Sequence, residues 1–300
     1  MTHEKWPALV YEEWKDTLAT VHMWTQVVGK IAVSHAPREN HGWGIAMQVT
    51  PRGIATKTMY HGDRPFAMEF DFVSHQLVLI VDDDRSSSLD LAPMTVADFY
   101  AAVMRMCHDA GLPVSIWTTP VEIPDPVKFE RDSAHSSYDP DAMARFRQVL
   151  SQVDRVFKQH RGGFVGKSSP VHFFWGAFDL AVTRFSGKLA PPREGPAFMV
   201  EAYSHEVISH GFWPGNAQLP EASFYAYAVP EPEGFKQVRV QPDAAYYHGE
   251  LGEFLLPYAA VRESPDPDRA ILDFMRSTYE EAATRAGWNR DALEMPGSGS

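Results

Sequence analysis

The sequence VHFFWGAFDLAVTRFSG, residues 171–187, has the apolar, aromatic and β-branched composition of a buried strand with a few polar positions. Alternate residues of an extended chain point to opposite faces of a sheet. A single strand here would place Trp175 and Asp179 on one face, and His172 and Arg184 on the other. Asp179 would lie among apolar neighbours, where a carboxylate needs a partner. We therefore expect an adjacent strand to supply a cation or hydrogen-bond donors.

The segment EAYSHEVISH, residues 201–210, is the predicted adjacent strand. In an extended conformation Glu201, Tyr203 and His205 share one face. A carboxylate, a phenol and an imidazole together can transfer protons near neutral pH or bind a divalent metal ion. The alternative interpretation is a set of buried polar side chains that only satisfy one another's hydrogen bonds.

Short β-like runs and helical patterns alternate along the rest of the chain. In the first part, helices are predicted at 8–19, 21–32 and 95–108, strands at 43–50, 54–60, 66–72, 76–81 and 114–118, and turns at 51–53 and 82–84. In the second part, helices are predicted at 142–160, capped by Asp139 or Asp141, and at 267–286, with strands at 171–185, 198–210 and 223–229. The order helix, meander, helix thus occurs twice.

This pattern predicts an α+β fold of two intimately packed halves, each an antiparallel β-meander flanked by helices. The expected divisions are an N-terminal α+β half at 1–120, a proline-rich connection at 121–140, a C-terminal α+β half with the candidate site at 141–295, and a flexible linker or cloning remnant at 296–300. Ser-His pairs in residues 69–75 and 201–205 indicate a possible pseudo-duplication, for which coincidence is the alternative.

The charge and cysteine content argue against several classes of protein. The chain has 27 basic and 39 acidic side chains, a formal net charge of −12, and no run of lysine or arginine. Nucleic acid and anionic membranes are therefore not expected as partners. The single cysteine, Cys107, excludes an intrachain disulfide and is expected to be a buried thiol and not a nucleophile. The first ten residues lack a signal-peptide core, which predicts a cytoplasmic protein.

Basic and aromatic residues complete a candidate pocket. Arg184 and Lys167 are predicted to hold a substrate carboxylate or phosphate, because a guanidinium group binds such anions through two hydrogen bonds. Trp213, in the turn sequence FWPG, is expected either to line a cleft or to pack within the turn.

A divalent metal ion is a possible cofactor of this pocket. Its ligands would be His172, His205 and a carboxylate such as Glu201, with His75 from the first half as a fourth. The chain has no His-Glu-x-x-His motif and no compact His-x-His pair, so the spacing of these residues does not by itself indicate a metal site.

Several long motifs resemble a bacterial family catalogued as domain of unknown function 5996. They are residues 24–30, 70–75, 138–140, 167–187, 201–206, 211–215, 253–258 and 279–283, and the resemblance covers nearly the whole chain. The family has no assigned activity, so the resemblance implies little about the reaction. Its members tend to carry another Trp and another His in the stretch where this chain has Gly42 and Gly44. The resemblance therefore implies a roomier pocket and weaker metal binding here, if those side chains contribute to the site.

The leading hypothesis is a small-molecule enzyme with a His/Glu/Asp/Arg pocket between the two halves. Its predicted catalytic residues are His172, Glu201, His205 and Asp179, and its predicted substrate-binding residues are Arg184, Lys167, Tyr203, Trp175, Trp213 and His75. Hydrolysis, elimination and metal-assisted oxidation are all compatible with these groups. The alternatives are a non-catalytic protein that binds a small ligand, and a structural protein with a buried polar network.

Overall fold

A computed structural model of the protein describes residues 4–81, 86–195 and 197–296. The helices of this part of the chain are α1 Tyr11–His35, α2 Val96–Asp109, α3 Pro140–Gly162, α4 Ala197–Ala202, α5 Tyr258–Glu263, α6 Pro267–Arg285 and α7 Arg290–Leu293. The strands are β1 Gln48–Val49, β2 Gly53–Ala55, β3 Met59–His61, β4 Arg64–Asp71, β5 Gln76–Val81, β6 Ser86–Asp90, β7 His172–Phe174, β8 Asp179–Leu189, β9 His205–Trp213, β10 Ser223–Val229, β11 Tyr246–His248 and β12 Glu253–Pro257. They form two antiparallel six-stranded sheets, which confirms the predicted α+β fold with two halves.

The first helix is continuous where two were predicted. α1 begins at Tyr11 and carries Glu12 and Glu13 in its first turn, where acidic side chains favour a helix N-terminus. Thr20, at the predicted break, lies within the helix, and its hydroxyl donates a hydrogen bond to the Asp16 carbonyl at 2.9 Å. No glycine or proline lies at the predicted break, so the helix continues through it and ends at His35.

The first sheet has the order β1-β2-β4-β5-β6, with β3 paired to β4. The strand predicted at 43–50 is wrong over most of its length, because only β1 is a strand and the chain before it forms a 3-10 turn at Asn40–Gly42. The strand predicted at 54–60 is divided into β2 and β3. β6 was not predicted, since its consecutive serines resemble a loop.

The strand predicted at 114–118 is wrong. Among the residues that the structure describes, no strand pairs with this segment, and Trp117 within it is 67% exposed. The side chain of Gln26 on α1 binds the chain soon afterwards, with its amide donating to the Val121 carbonyl at 2.7 Å and accepting from the Val121 N–H at 2.8 Å. The connection is therefore attached to the first helix by side-chain hydrogen bonds and not by a sheet.

The second sheet has the order β11-β12-β10-β9-β8-β7. The prediction of one strand over 171–185 is wrong, because a turn at residues 175–178 makes β7 and β8 a hairpin. The turn changes the alternation of faces. His172 is paired with Ala181, so His172 and Asp179 share a face and Arg184 lies on the other.

The strand predicted at 198–210 is correct only from its middle onward. Residues 197–202 form the short helix α4, and β9 begins at His205. His75, the other histidine of the suspected repeat, lies in the β4–β5 turn with a φ of 53°. The two Ser-His pairs therefore do not occupy equivalent structures.

Two long helices cover the Arg184 face of the second sheet. α3 begins at the capping residue Asp139, whose side chain accepts from the Asp141 N–H, and α6 is capped in the same way by Asp266. Both helices were predicted within a few residues of these bounds. Leu180, Phe212 and other apolar residues of this sheet face form the core beneath the helices. The opposite face carries the polar side chains described below.

The two halves join through backbone and side-chain contacts around β7. Met47 exchanges two backbone hydrogen bonds with Phe173, at 2.8 and 2.7 Å. Trp175 packs directly on Gly29 of α1, where a Cβ atom would lie 2.1 Å from the indole ring. The indole Nε1 donates to the Ile45 carbonyl at 3.0 Å. Trp175 thus connects the β7–β8 turn to the first half.

Two sequence predictions lie outside the described residues: the turn at 82–84, and most of the linker at 296–300, of which only residue 296 is described. None of the helices in the described part of the chain is long and apolar enough to cross a membrane.

Cys107 is expected to be unreactive in the folded protein. It lies on the buried face of α2, is 0% exposed, and burial raises the pKa of its thiol to about 12. The reactive thiolate is therefore scarce at neutral pH. A chromogenic disulfide reagent should modify Cys107 only when denaturant unfolds the chain. Rapid stoichiometric labelling of the native protein would contradict this.

Candidate functional site

One face of the second sheet is polar and aromatic, and we call it the tyrosine face. Its central residues are Asp179, Thr183, Ser209, Gly211, Tyr225 and Tyr227. Gly211 on β9 lies between its pairing partners Ala181 on β8 and Tyr225 on β10. The Tyr225 ring crosses Gly211, since a Cβ atom at 211 would lie 2.1 Å from the ring carbon Cζ. Because glycine leaves this space open, the Tyr225 hydroxyl reaches across β9 and donates a hydrogen bond to Oδ2 of Asp179.

Asp179 is the most strongly perturbed carboxyl group on this face. It is 6% exposed, and burial raises its pKa to about 7 even though the hydrogen bond from Tyr225 lowers it. The negative charge of Glu122 acts in the same direction as burial. Burial and the neighbouring Asp179 raise the pKa of Tyr225 well above 10. At neutral pH Asp179 is therefore divided between its acid and carboxylate forms, whereas Tyr225 remains a neutral donor.

A second carboxyl group lies on the same face. Burial raises the pKa of Glu253 on β12 to about 7, and the negative charge of Asp179 raises it as well. Because ionisation of one carboxyl disfavours ionisation of the other, the pair loses its protons in linked steps. One proton donor and one proton acceptor can therefore be present together near neutral pH.

A chain of four hydroxyl groups continues the face away from Asp179. The Thr183 hydroxyl lies 2.9 Å from that of Ser209, Ser209 is hydrogen-bonded to Tyr227, and the Tyr227 hydroxyl lies 3.0 Å from that of Tyr203. The Tyr227 ring stacks on Tyr225 with centroids 6.0 Å apart. Tyr203, Tyr225 and Tyr227 are each partly exposed, so this part of the face is in contact with solvent.

His41 and Lys167 form a second cluster beside the tyrosine face. Nδ1 of His41 is 3.1 Å from the Glu201 carbonyl, and Nε2 is 2.5 Å from Nζ of Lys167. A carbonyl only accepts hydrogen bonds and an ammonium only donates them. His41 is therefore neutral, with its proton on Nδ1 and its Nε2 lone pair directed at Lys167.

The environment of this histidine–lysine cluster disfavours positive charge. Burial lowers the pKa of His41, with a further decrease from the charge of Lys167, and burial also lowers the pKa of Lys167. Nζ of Lys167 lies 4.7 Å from the centroid of the Phe185 ring and 5.7 Å from that of Trp43. His41 has a left-handed backbone with a φ of 57°, a conformation that costs energy in a residue other than glycine.

The structure brings His205 and His172 to the edge of this cluster. The His205 ring lies 5.9 Å from that of His41 between centroids, and Nδ1 of His205 is 3.0 Å from the Ser204 hydroxyl. His172 is 2% exposed and contacts Trp43 edge-on at 6.4 Å. Burial lowers the pKa of His172 to about 3, so it is neutral at physiological pH.

Glu201 belongs to α4 and not to a strand. Its carboxylate accepts from the Arg38 guanidinium at 3.1 Å and from the His41 N–H at 3.2 Å. The hydrogen bond from Arg38 lowers the pKa of Glu201. Glu201 is therefore a carboxylate at neutral pH, and it orients the loop that carries His41.

Other predicted site residues lie elsewhere. Arg184 faces α3 and α6, on the opposite side of β8 from Asp179 and away from Lys167. His75 is bound to the Tyr138 hydroxyl at 2.9 Å in the first half. Trp175 lies between the halves, as described above, while Trp213 ends β9 and shares its face with Gly211.

The candidate metal ligands do not assemble. Within residues 4–81, 86–195 and 197–296, no group of three or more His, Cys, Asp or Glu side chains is arranged to hold a metal ion. The predicted ligands His172, His205, Glu201 and His75 all lie in these ranges, and they form no such group.

Several residues of the tyrosine face and of the histidine–lysine cluster were not predicted from the sequence. The alternation in SFYAYAV, residues 223–229, contains a detectable signal, since it places Tyr225 and Tyr227 on one face and Phe and Ala on the other. Glu253 opens a short apolar run and gave no such signal. His41 and Trp43 were not predicted as site residues, because only the tertiary structure places them beside Lys167.

Comparison with known proteins gives a family and no activity. The family of unknown function DUF5996 matches residues 6–295, so the chain belongs to that family. No curated protein and no solved structure matches the chain.

Proposed function

We propose that this DUF5996 protein is an enzyme that uses acid–base chemistry on a small molecule bound at the tyrosine face, with Asp179 as the group that transfers the proton. The observation that carries the proposal is the environment of Asp179. Burial raises its pKa to about 7, and its Oδ2 atom is held by the Tyr225 hydroxyl. A general acid or base works best when its pKa is near the working pH.

Glu253 is a second carboxyl group on this face that can take part in proton transfer. Since the pKa of Glu253 is also about 7 and is raised by the charge of Asp179, one of the two groups can donate a proton while the other accepts one. Tyr225 stays protonated and fixes the orientation of the Asp179 carboxyl. Its role is positioning, because its own pKa is raised well above 10.

The charges on the face restrict the substrate. Asp179, Glu253 and Glu122 make the reacting end of the face acidic, which favours a neutral or cationic group there. Lys167, beyond the hydroxyl chain, is the cation that an anionic end of the same molecule would meet. The stacked rings of Tyr225 and Tyr227 offer an apolar surface with hydroxyl groups at its edge.

Replacing Asp179 with asparagine tests the proposal. The purified protein would be incubated with a library of small metabolites, and conversion would be followed by mass spectrometry. For any compound converted by the wild type, Asp179→Asn should lower turnover by about 10²- to 10⁴-fold, the range for loss of a general acid or base. Asp243→Asn, the same change at an exposed position, should leave turnover unchanged.

Two outcomes would contradict the proposal. Full turnover by Asp179→Asn would exclude Asp179 as the proton-transferring group. A compound that binds the wild type, loses affinity when Tyr227 is changed to phenylalanine, and is recovered unconverted would favour the non-catalytic binding protein instead.

A further inference from the structure

A cavity of about 310 Å³ lies on the other side of the second sheet, between the C-terminal part of α3, strand β8 and helix α6. Its lining includes Arg184, Arg269, Arg276, His160, Tyr279 and Glu294. We propose that this arginine cavity binds a small organic anion that carries a carboxylate or phosphate group. The site is separate from the tyrosine face, and the proposal does not depend on the function assigned to Asp179.

Arg184 is a buried cation that forms no ion pair with an acidic side chain of the described residues. The residue is 5% exposed, and no Asp or Glu in the described ranges forms an ion pair with it. One guanidinium nitrogen donates to the His160 carbonyl at 2.6 Å, and the group lies 4.3 Å above the Tyr279 ring and 4.9 Å above that of Phe164. Burying a charge without a counter-ion is costly, so an anion in the adjoining cavity would stabilise this arrangement.

Polar atoms without partners occur in the same wall. Nε of Arg184 and Nε2 of His160 are buried and have no hydrogen-bond partner among the described residues. Burial and the charge of Arg184 keep His160 neutral, since they lower its pKa well below 6.5. Buried polar groups are nearly always hydrogen-bonded in folded proteins. A wall with two exceptions beside a cavity is typical of a site that a ligand or ordered water completes.

The acidic residues of the cavity are already paired with other arginines. Asp273 accepts from Arg269 at 2.9 Å and from Arg276 at 2.6 Å. These contacts leave other donors of the two guanidinium groups free for a ligand, because each group carries five N–H donors.

Glu294 is also hydrogen-bonded to other residues. It accepts from Arg290 at 2.6 Å and from the Tyr279 hydroxyl at 3.0 Å, while Glu280 lies 3.3 Å from the same arginine. Neither glutamate forms an ion pair with Arg184, although the charge of Glu294 is near enough to raise the pKa of the Arg184 guanidinium. The Nε donor of Arg184 therefore remains available to a bound anion.

The dimensions of the cavity and the guanidinium groups in its wall define the class of ligand. A volume of about 310 Å³ is at the small end of the range for ligand pockets, roughly 300–1,000 Å³. Planar guanidinium groups bind carboxylate and phosphate oxygens in pairs of parallel hydrogen bonds. The expected ligand is therefore a small carboxylic acid or phosphate ester and not a nucleotide or a polymer.

Calorimetric titration with inorganic phosphate and with succinate, at constant ionic strength, tests the proposal. At least one probe should bind the wild-type chain with one site per molecule, and the tighter of the two identifies the preferred anion. Arg276→Gln and Arg269→Gln change residues at the partly exposed rim of the cavity, and each leaves Asp273 paired with the other arginine. Each should weaken binding about tenfold, the effect of losing a charge-assisted hydrogen bond.

Arg184→Lys and an exposed control complete the experiment. Arg184→Lys keeps the charge but loses the planar fork, and it should weaken binding at least as much as the rim variants. Arg105→Gln, the same change on an exposed residue of α2, should bind like the wild type. Absence of binding by both probes, unchanged binding in both rim variants, or an equal loss in Arg105→Gln would each overturn the proposal. If Arg184→Lys does not fold, the rim variants alone decide it.

Discussion

Asp179→Asn is expected to stabilise the protein increasingly as the pH rises, relative to the wild type. Burial raises the pKa of Asp179 to about 7 in the folded protein, above its model-peptide value of 3.8. A carboxyl with a raised pKa holds its proton longer when folded, so the folded state is favoured at low pH and that advantage is lost as the pH rises through 7. Asparagine has no such ionisation and can still accept the hydrogen bond from Tyr225.

The expected size of this effect is large for one side chain. Between pH 5 and pH 8.5 the advantage of the variant over the wild type should grow by about 3 kcal/mol, as the linkage between pKa and stability requires for this shift. The measurement is urea unfolding of both proteins at several pH values. Asp243→Asn, whose carboxylate is exposed, should run parallel to the wild type throughout.

The quantity to follow is the difference in unfolding free energy between the wild type and Asp179→Asn, because the buried histidines of both proteins have the opposite pH dependence. Burial lowers the pKa of His22 to about 4, and those of His172 and His210 to about 3. A base with a lowered pKa is neutral when folded, so its contribution to stability is lost as the pH falls below about 6.5. This contribution is common to the wild type and the variant and cancels. A flat difference curve between them would show that Asp179 titrates normally.

The parts of the fold that local sequence determines were predicted well. α3 and α6 are capped by Asp139 and Asp266 and begin at the proline that follows each, and the strand predicted at 223–229 coincides with β10. The errors occur where a tertiary contact decides the local structure. The sequence of the hairpin turn at 175–178 is typical of an apolar strand. The turn places Trp175 in the space left by Gly29, about 150 residues earlier in the chain, and this contact is not visible in the local sequence.

In the candidate site, too, local features were predicted correctly and features that depend on tertiary contacts were not. The sequence predicted that Asp179 needs a donor, and it has one. The donor was expected from the neighbouring strand but comes from Tyr225, one strand further across the sheet. His205 and Glu201 were expected on one strand face, whereas a helix end separates them. The order of the strands and the position of the His41 loop depend on contacts between distant segments. The alternation of polar and apolar side chains within one strand does not reveal such contacts.

Gly211→Ala is expected to destabilise the protein by about 3 kcal/mol, at the upper end of the range for overpacking. The added Cβ atom would lie 2.1 Å from Cζ and 2.2 Å from the hydroxyl oxygen of Tyr225, so the ring must move. Its movement breaks the hydrogen bond to Asp179. Because that hydrogen bond lowers the pKa of Asp179, its loss should raise the pKa of this carboxyl above 7 and reduce turnover of any substrate found for the enzyme.

Urea unfolding of a double-mutant cycle separates the steric cause from a general loss of glycine flexibility. Gly249→Ala, in a turn where an added Cβ atom has nothing within 4 Å, should change stability by less than about 1 kcal/mol. When Tyr225 is first changed to alanine, adding Gly211→Ala should cost much less than it does in the wild type, because the ring it displaces is gone. Equal costs in the two backgrounds would show that Gly211 does not serve to admit the Tyr225 ring. Gly211 would then not be the reason that the Tyr225 hydroxyl reaches Asp179 across β9.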